Sequence, residues 1–84
     1  MKSIHSNEYK HLLQLLVEAR KEADLTQAEV AARFGKPQSF MAKVENGERR
    51  LDVIEFMKLC ELIDASPFDL MKAVRKPPTR QGNR

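Results

Sequence analysis

The stretch from Thr26 to Val44 reads Thr-Gln-Ala-Glu-Val-Ala-Ala-Arg-Phe-Gly-Lys-Pro-Gln-Ser-Phe-Met-Ala-Lys-Val, and it leaves the chain few ways to fold. It holds two short helical patterns separated by a turn too tight for an ordinary loop. Thr26 and Glu29 form a capping box, in which the threonine hydroxyl accepts from the Glu29 amide and the Glu29 carboxylate accepts from the Thr26 amide. A helix therefore starts at about Gln27. Val30, Ala31 and Phe34 share one face of it. Ala31 faces the next helix, where a larger side chain would push the pair apart. Gly35 supplies the left-handed residue that ends the first pattern. Pro37 has a pre-set φ and no amide proton, which suits the first turn of the second. Met41 and Val44 then point inward and leave Gln38, Ser39, Ala42 and Lys43 outside. An ordinary αα-hairpin can share some of these features. Box, small residue, glycine and polar outer face together favour a helix-turn-helix, whose second helix is shaped to enter the DNA major groove.

The flanking sequence extends the helical pattern. Helix one runs from about Asn7 to Ala23, with Tyr9, Leu12, Leu13, Leu16 and Arg20 on one side, and Asp24-Leu25 turns into helix two. After Val44, Glu45-Asn46-Gly47 is a helix stop, and Glu48-Arg49-Arg50 is a charged loop. Asp52 and Glu55 make a second capping box. The expected inward stripe of helix four is Val53, Phe56, Met57, Cys60 and Ile63. Ser66-Pro67-Phe68-Asp69 opens helix five with a cap, a first-position proline and an acid near the positive helix end. Its Phe68, Leu70, Met71 and Val74 are too many apolar residues for a solvated helix. Some should pack on helix one, and the others are candidates for a subunit contact. The chain thus divides into a flexible N-terminus (1–6), a helical domain (7–74) and a basic tail (75–84) expected to be disordered.

Composition narrows the function. The 84 residues make one domain, and the single cysteine, Cys60, excludes an intrachain disulfide and offers no zinc-ligand spacing. Cys60 lies among Phe56, Met57, Leu59 and Ile63 and reads as a small buried hydrophobe. No apolar run approaches the roughly 20 residues of a membrane span, and no signal-peptide core is present, so a cytoplasmic setting is expected. His5 and His11 have no carboxylate or cysteine partner at useful spacing. With no glycine-rich phosphate loop and no paired acids, neither an enzyme nor a cofactor or metal site is expected. Residues 1–74 hold 11 Lys and Arg against 12 Asp and Glu, so the net charge of +3 arises from the tail. Within the domain, positive charge gathers at Arg33, Lys36, Lys43, Arg49 and Arg50, which suits phosphate binding.

These residues together resemble the Cro and phage-repressor, or xenobiotic-response-element, type of helix-turn-helix domain. The resemblance spans about residues 8 to 72. It is carried by Arg20, Leu25-Thr26-Gln27, Glu29-Val30-Ala31, Phe34-Gly35, Pro37-Gln38-Ser39, Lys43-Val44-Glu45-Asn46-Gly47 and Glu48-Arg49-Arg50-Leu51. It implies an all-α, five-helix, lambda-repressor-like fold with helix three as recognition helix. It implies that Gln27 anchors a phosphate and that Gln38, Ser39 and Lys43 read bases. Lys36, Asn46, Arg49 and Arg50 are the further candidates for the phosphate backbone. Phe40 stands where the family often has Thr, Tyr or Ser, and either touches a thymine methyl or sugar, or covers the exposed end of the core. The resemblance also implies a pair between Arg20 and Glu45. Arg20 is the one charge on an otherwise apolar face and Glu45 follows a buried valine, which agrees. Asp24 stands where the family often has glycine or asparagine, so that turn is expected to be strained.

The expected function is a sequence-specific, DNA-binding transcription regulator, a repressor acting as a homodimer on double-stranded DNA. The alternative is an antitoxin or a restriction–modification controller that binds a partner protein, such as a toxin, as well as operator DNA. The family has no fixed dimer mode, and no separate sensor domain is recognisable.

Overall fold

The computed structural model describes residues 6–75. The residues before Ser6 and after Arg75, on which the expected flexible N-terminus and basic tail fall, lie outside the described part. Five helices follow in order: α1 (Asn7–Glu22), α2 (Gln27–Phe34), α3 (Gln38–Glu45), α4 (Val53–Leu62) and α5 (Pro67–Arg75). The described residues contain no helix long and apolar enough to cross a membrane.

Local sequence sets most of the boundaries. Ser6 caps α1 by accepting from the Tyr9 amide at 3.1 Å. Both capping boxes are complete: Thr26 Oγ1 and Glu29 exchange bonds of 3.1 and 2.8 Å, and Asp52 and Glu55 bonds of 2.7 and 3.0 Å. Ser66 accepts from Asp69 at 3.2 Å, with Pro67 the first residue of α5. Pro37 differs from expectation. It is the N-cap of α3, with extended ψ of 161°, and Gln38 is the first helical residue. Proline contributes no capping side chain, so its fixed φ and its carbonyl do the work at this end.

The helix exits share one device. In each of α1 to α4, a residue of positive φ donates its amide three residues back, and the next residue donates five back. The pairs are Asp24 to Lys21 with Leu25 to Arg20, and Gly35 to Ala32 with Lys36 to Ala31. The other two are Gly47 to Val44 with Glu48 to Lys43, and Asp64 to Glu61 with Ala65 to Cys60. This is the Schellman closure, and it satisfies carbonyls that the helix leaves open. Two glycines adopt it at φ 79° and 80°, whereas Asp24 and Asp64 adopt it at 61° and 59°. The strained turn expected at Asp24 is therefore present, and Asp64 repeats it.

The core is formed by Tyr9, Leu13 and Leu16 of α1, Val30 and Ala31 of α2, Met41 and Val44 of α3, and Phe56, Leu59 and Cys60 of α4 with Ile63. An eight-residue helix such as α3 is not stable by itself in water. Met41 and Val44, each 1% exposed, hold it to the body, at about 1.5–3 kcal/mol for each buried side chain. The stripe expected on α4 needs correction. Phe56, Cys60 and Ile63 are buried, but Val53 and Met57 are 64% and 51% exposed, and Leu59 takes the inward place. With apolar residues at 53, 54, 56, 57, 59 and 60, α4 has two apolar faces, and packing against α2 selects one of them. On α5, Leu70 packs against the core while Phe68 and Met71 remain exposed.

Candidate nucleic-acid interface

The close packing of α2 on α3 follows from residues of little bulk. Ala31 is fully buried between the helices, and Gly35 turns the chain between them. The outer side of α3 is then free. Gln38, Ser39 and Lys43 are all exposed, while Met41 and Val44 of the same helix are in the core. The helix thus separates its contacts, with packing on one side and polar side chains on the other.

A hydrogen-bonded chain runs under this surface. Arg20 of α1 donates from Nε to Glu45 Oε2 at 2.6 Å, from Nη2 to Glu45 Oε1 at 3.1 Å, and from Nη1 to the Leu25 carbonyl at 2.8 Å. The side chains of Arg20 and Glu45 are only 11% and 8% exposed. Gln27 Nε2 donates to Glu45 Oε1 at 2.8 Å, and Gln38 Nε2 donates to Gln27 Oε1 at 2.8 Å. Arg20, Glu45, Gln27 and Gln38 therefore form one continuous network from the core to the outer edge of α3. Its members come from three helices, and the two glutamines each stand at the first position of their helix.

The basic residues divide into free and engaged ones. Arg33, Lys36, Lys43 and Arg50 are exposed. Arg49, a phosphate candidate from sequence, is bound instead as a fork to Glu55, at 2.7 Å on each oxygen, and donates to the Arg50 carbonyl at 2.7 Å. Glu55 therefore serves both the α4 cap and Arg49. The Arg49 guanidinium and then the Asp52 amide hold its carboxyl below the usual carboxylate range, and Arg49 in turn is held in its charged form. The Thr26 amide and hydroxyl likewise lower the carboxyl of Glu29. Arg50 lies over the Tyr9 ring at 4.4 Å, and the Leu51 amide donates to the Tyr9 hydroxyl at 3.1 Å, which ties the loop after α3 to α1. Asn46 is exposed, with only a long 3.5 Å bond to Glu48.

Phe40 has the packing that its covering alternative requires. It is half-buried, packs against the core, and has its ring 5.3 Å from that of Phe34. Lys36 and Arg49 lie 5.5 and 5.1 Å from its centroid, so two cations of this surface rest against its ring. It does not share the outer face with Gln38, because it lies two residues on from the helix start, about 200° around the axis.

A second surface was only partly visible in the sequence. Val53, Ile54 and Met57 of α4 and Phe68 and Met71 of α5 are 45–71% exposed and line one groove with Lys58, Glu61 and Asp64 on its edges. Of the residues expected at a subunit contact, Phe68 and Met71 belong to it, Val74 is half-buried, and Leu70 is turned toward the core. α4 contributes because Val53 and Met57, expected in its inward stripe, turn outward. Cys60 lies fully buried behind the groove, and burial pushes its thiol up to about 11.

A helix-turn-helix family model matches residues 16–70, most of the five-helix body. The chain belongs to the Cro and phage-repressor, or xenobiotic-response-element, type of helix-turn-helix proteins, a class of DNA-binding transcription regulators. It is similar to an XRE-family like protein from Pseudomonas syringae pv. tomato str. DC3000, with 54% identity and a TM-score of 0.80, covering 88% of this chain and 92% of that one. It is also similar to an uncharacterized HTH-type transcriptional regulator, y4dJ, from Sinorhizobium fredii (strain NBRC 101917 / NGR234). That likeness is 34% identity over 59 residues, 70% of this chain and 77% of the relative.

Proposed function

We propose that the protein is a sequence-specific transcriptional repressor that binds operator DNA as a homodimer. In this reading α3 lies in the major groove, Gln38, Ser39 and Lys43 meet base edges, and Gln27, Lys36, Asn46 and Arg50 follow the phosphates. The observation that carries it is the exposure of Gln38, Ser39 and Lys43 on a short helix anchored by Met41 and Val44. The free cations beside them supply the sequence-independent attraction, and Arg49 contributes by buttressing the loop rather than by touching DNA.

The test is binding to duplexes selected from random or genomic DNA by the intact protein. Gln38→Ala is expected to flatten the preference at one position of each half-site. Lys36→Ala is expected to weaken all duplexes alike and to reduce the salt slope by about one. Unchanged preference in Gln38→Ala refutes the reading role of α3.

A single helix-turn-helix makes few base contacts, and two copies spanning half-sites about 34 Å apart remedy this. The exposed groove of α4 and α5 supports the pairing, because its apolar floor and its edges of opposite charge, Lys58 against Glu61 and Asp64, suit a second copy. Sedimentation should give a dimer, and Met57→Asp with Phe68→Asp should give a folded monomer with weaker operator binding. A wild-type protein that sediments as a monomer at micromolar concentration rejects the homodimer. It would favour the second reading, in which the same face takes a different protein, as in an antitoxin or restriction–modification controller.

A further inference from the structure

We infer that Tyr9 is a positioning residue: it holds Arg50 in place ahead of contact with DNA, and so makes the first turn of α1 a determinant of operator affinity. This rests on the reading of Arg50 as a phosphate contact. Tyr9 is not among the residues that carry the family resemblance, and it lies ahead of the matched stretch 16–70. It is 7% exposed, yet its ring and its hydroxyl both engage the loop after α3, up to 42 residues along the chain. The peptide between Arg50 and Leu51 is held at both poles. Its carbonyl oxygen accepts from Arg49 Nη1 at 2.7 Å, and its N–H donates to the Tyr9 hydroxyl at 3.1 Å. The Arg50 guanidinium lies over the Tyr9 ring at 4.4 Å. Tyr9 therefore restrains both the backbone and the side chain of Arg50.

Two adjacent arginines thus take different parts. Arg49 commits its donors to Glu55 and to the Arg50 carbonyl. Arg50 is exposed, and among the described residues no oxygen accepts from its guanidinium. Its attraction to the ring is that of a charge to the ring's electrons and needs no N–H donor. The rigid fork of donors therefore remains for phosphate oxygens, which it can meet two at a time. A freely moving arginine gives up the freedom of a long side chain when it binds, which weakens affinity by about three- to tenfold for each side chain so ordered. Arg50 has lost much of that freedom before DNA arrives.

The experiment is a double-mutant cycle in the full chain, with Tyr9→Leu, Arg50→Ala and the two combined, each checked for folding by circular dichroism. Binding is measured over a range of salt on the operator selected by the wild-type protein. Tyr9→Leu is expected to weaken binding by about three- to tenfold for each protomer. Arg50→Ala is expected to weaken it too, and to lower the salt slope by about one for each protomer. Tyr9→Leu added to Arg50→Ala should then change affinity by less than about twofold, because the side chain it positions is gone. An equal loss in both backgrounds overturns the proposal, since a role confined to folding would not depend on Arg50. Arg50→Ala with wild-type affinity and slope would instead refute the phosphate reading of Arg50 itself. A measurement without DNA decides the matter even if Tyr9→Leu is unstable. In the wild-type protein, the Tyr9 ring current should move the side-chain proton resonances of Arg50 upfield of those of Arg33, which is exposed and lies over no ring among the described residues. Equal shifts would refute the tether.

Discussion

Replacing Arg20 by methionine tests the centre of the fold and of the interface together. Arg20→Met keeps the length and apolar stem of the side chain but removes all three of its donor groups. The Glu45 side chain, 8% exposed, is left with Gln27 as its remaining partner, and the Leu25 carbonyl loses the bond at 2.8 Å. Hydrogen bonds to charged groups are worth about 1.5–3 kcal/mol each, but three bonds of one network do not add. The better guide is the cost of leaving one member of a buried pair alone, about 3–5 kcal/mol. A domain of some 70 ordered residues has roughly 4–10 kcal/mol of stability in total. The variant should thus lose from a third of its stability to all of it. Urea unfolding of the whole chain at pH 7, followed by circular dichroism, should show a midpoint lower by about 2–5 M for a slope near 1–1.5 kcal/mol/M. Glu45→Met added to Arg20→Met removes the stranded charge and should restore stability to within about 1–2 kcal/mol of wild type. An Arg20→Met protein within about 0.5 kcal/mol of wild type, with an unchanged slope, would refute the reasoning, since Glu45 would then have to be solvated in the native state.

Other outcomes follow from the helix exits, the titrating groups and the cysteine. Gly35→Ala should cost about 1 kcal/mol by thermal unfolding although an added Cβ would meet nothing within 4 Å, because the penalty lies in the backbone at φ 79°. Asp64→Gly should have the opposite sign and raise stability by about 0.5–1 kcal/mol, as relief at φ 59° exceeds the added chain entropy. The carboxyl of Glu55 is lowered by folding, so its contribution is complete above the ordinary range near pH 4.3 and is lost as pH falls through the folded value. The stability gap between wild type and Glu55→Gln should therefore close between about pH 5 and pH 2 in urea titrations. Cys60 is fully buried with a thiol pushed up to about 11, so iodoacetamide at pH 7.5 should label it only in denaturant.

How far the sequence could be read depends on how local each feature is. The capping boxes at Thr26 and Asp52, the cap at Ser66 and the left-handed turn at Gly35 are completed within five residues, and each was legible. Arg20 and Glu45 are 25 residues apart, and that pair was legible because a lone charge interrupts an apolar face and because the family resemblance names it. The facing of α4 was not legible. Its apolar residues fill more than one face, and only the packed partner decides that Leu59 rather than Met57 turns inward. The Arg49 fork was not legible for a similar reason, since a cation in a loop reads as free until Glu55 is brought beside it. The bond between Gln38 and Gln27 was out of reach too. Both residues were singled out, but their meeting depends on how α2 and α3 cross.

One consequence of the arrangement on α3 concerns how such proteins diversify. Ser39 and Lys43 are exposed and make no side-chain hydrogen bond among the described residues, whereas Gln38 is wired to the interior. On the proposed reading, mutations at 39 and 43 change the side chains offered to DNA at almost no thermodynamic penalty. A change at 38 also cuts the link to Gln27. Lineages descending from such a chain should therefore vary freely at 39 and 43 and change 38 in concert with residue 27.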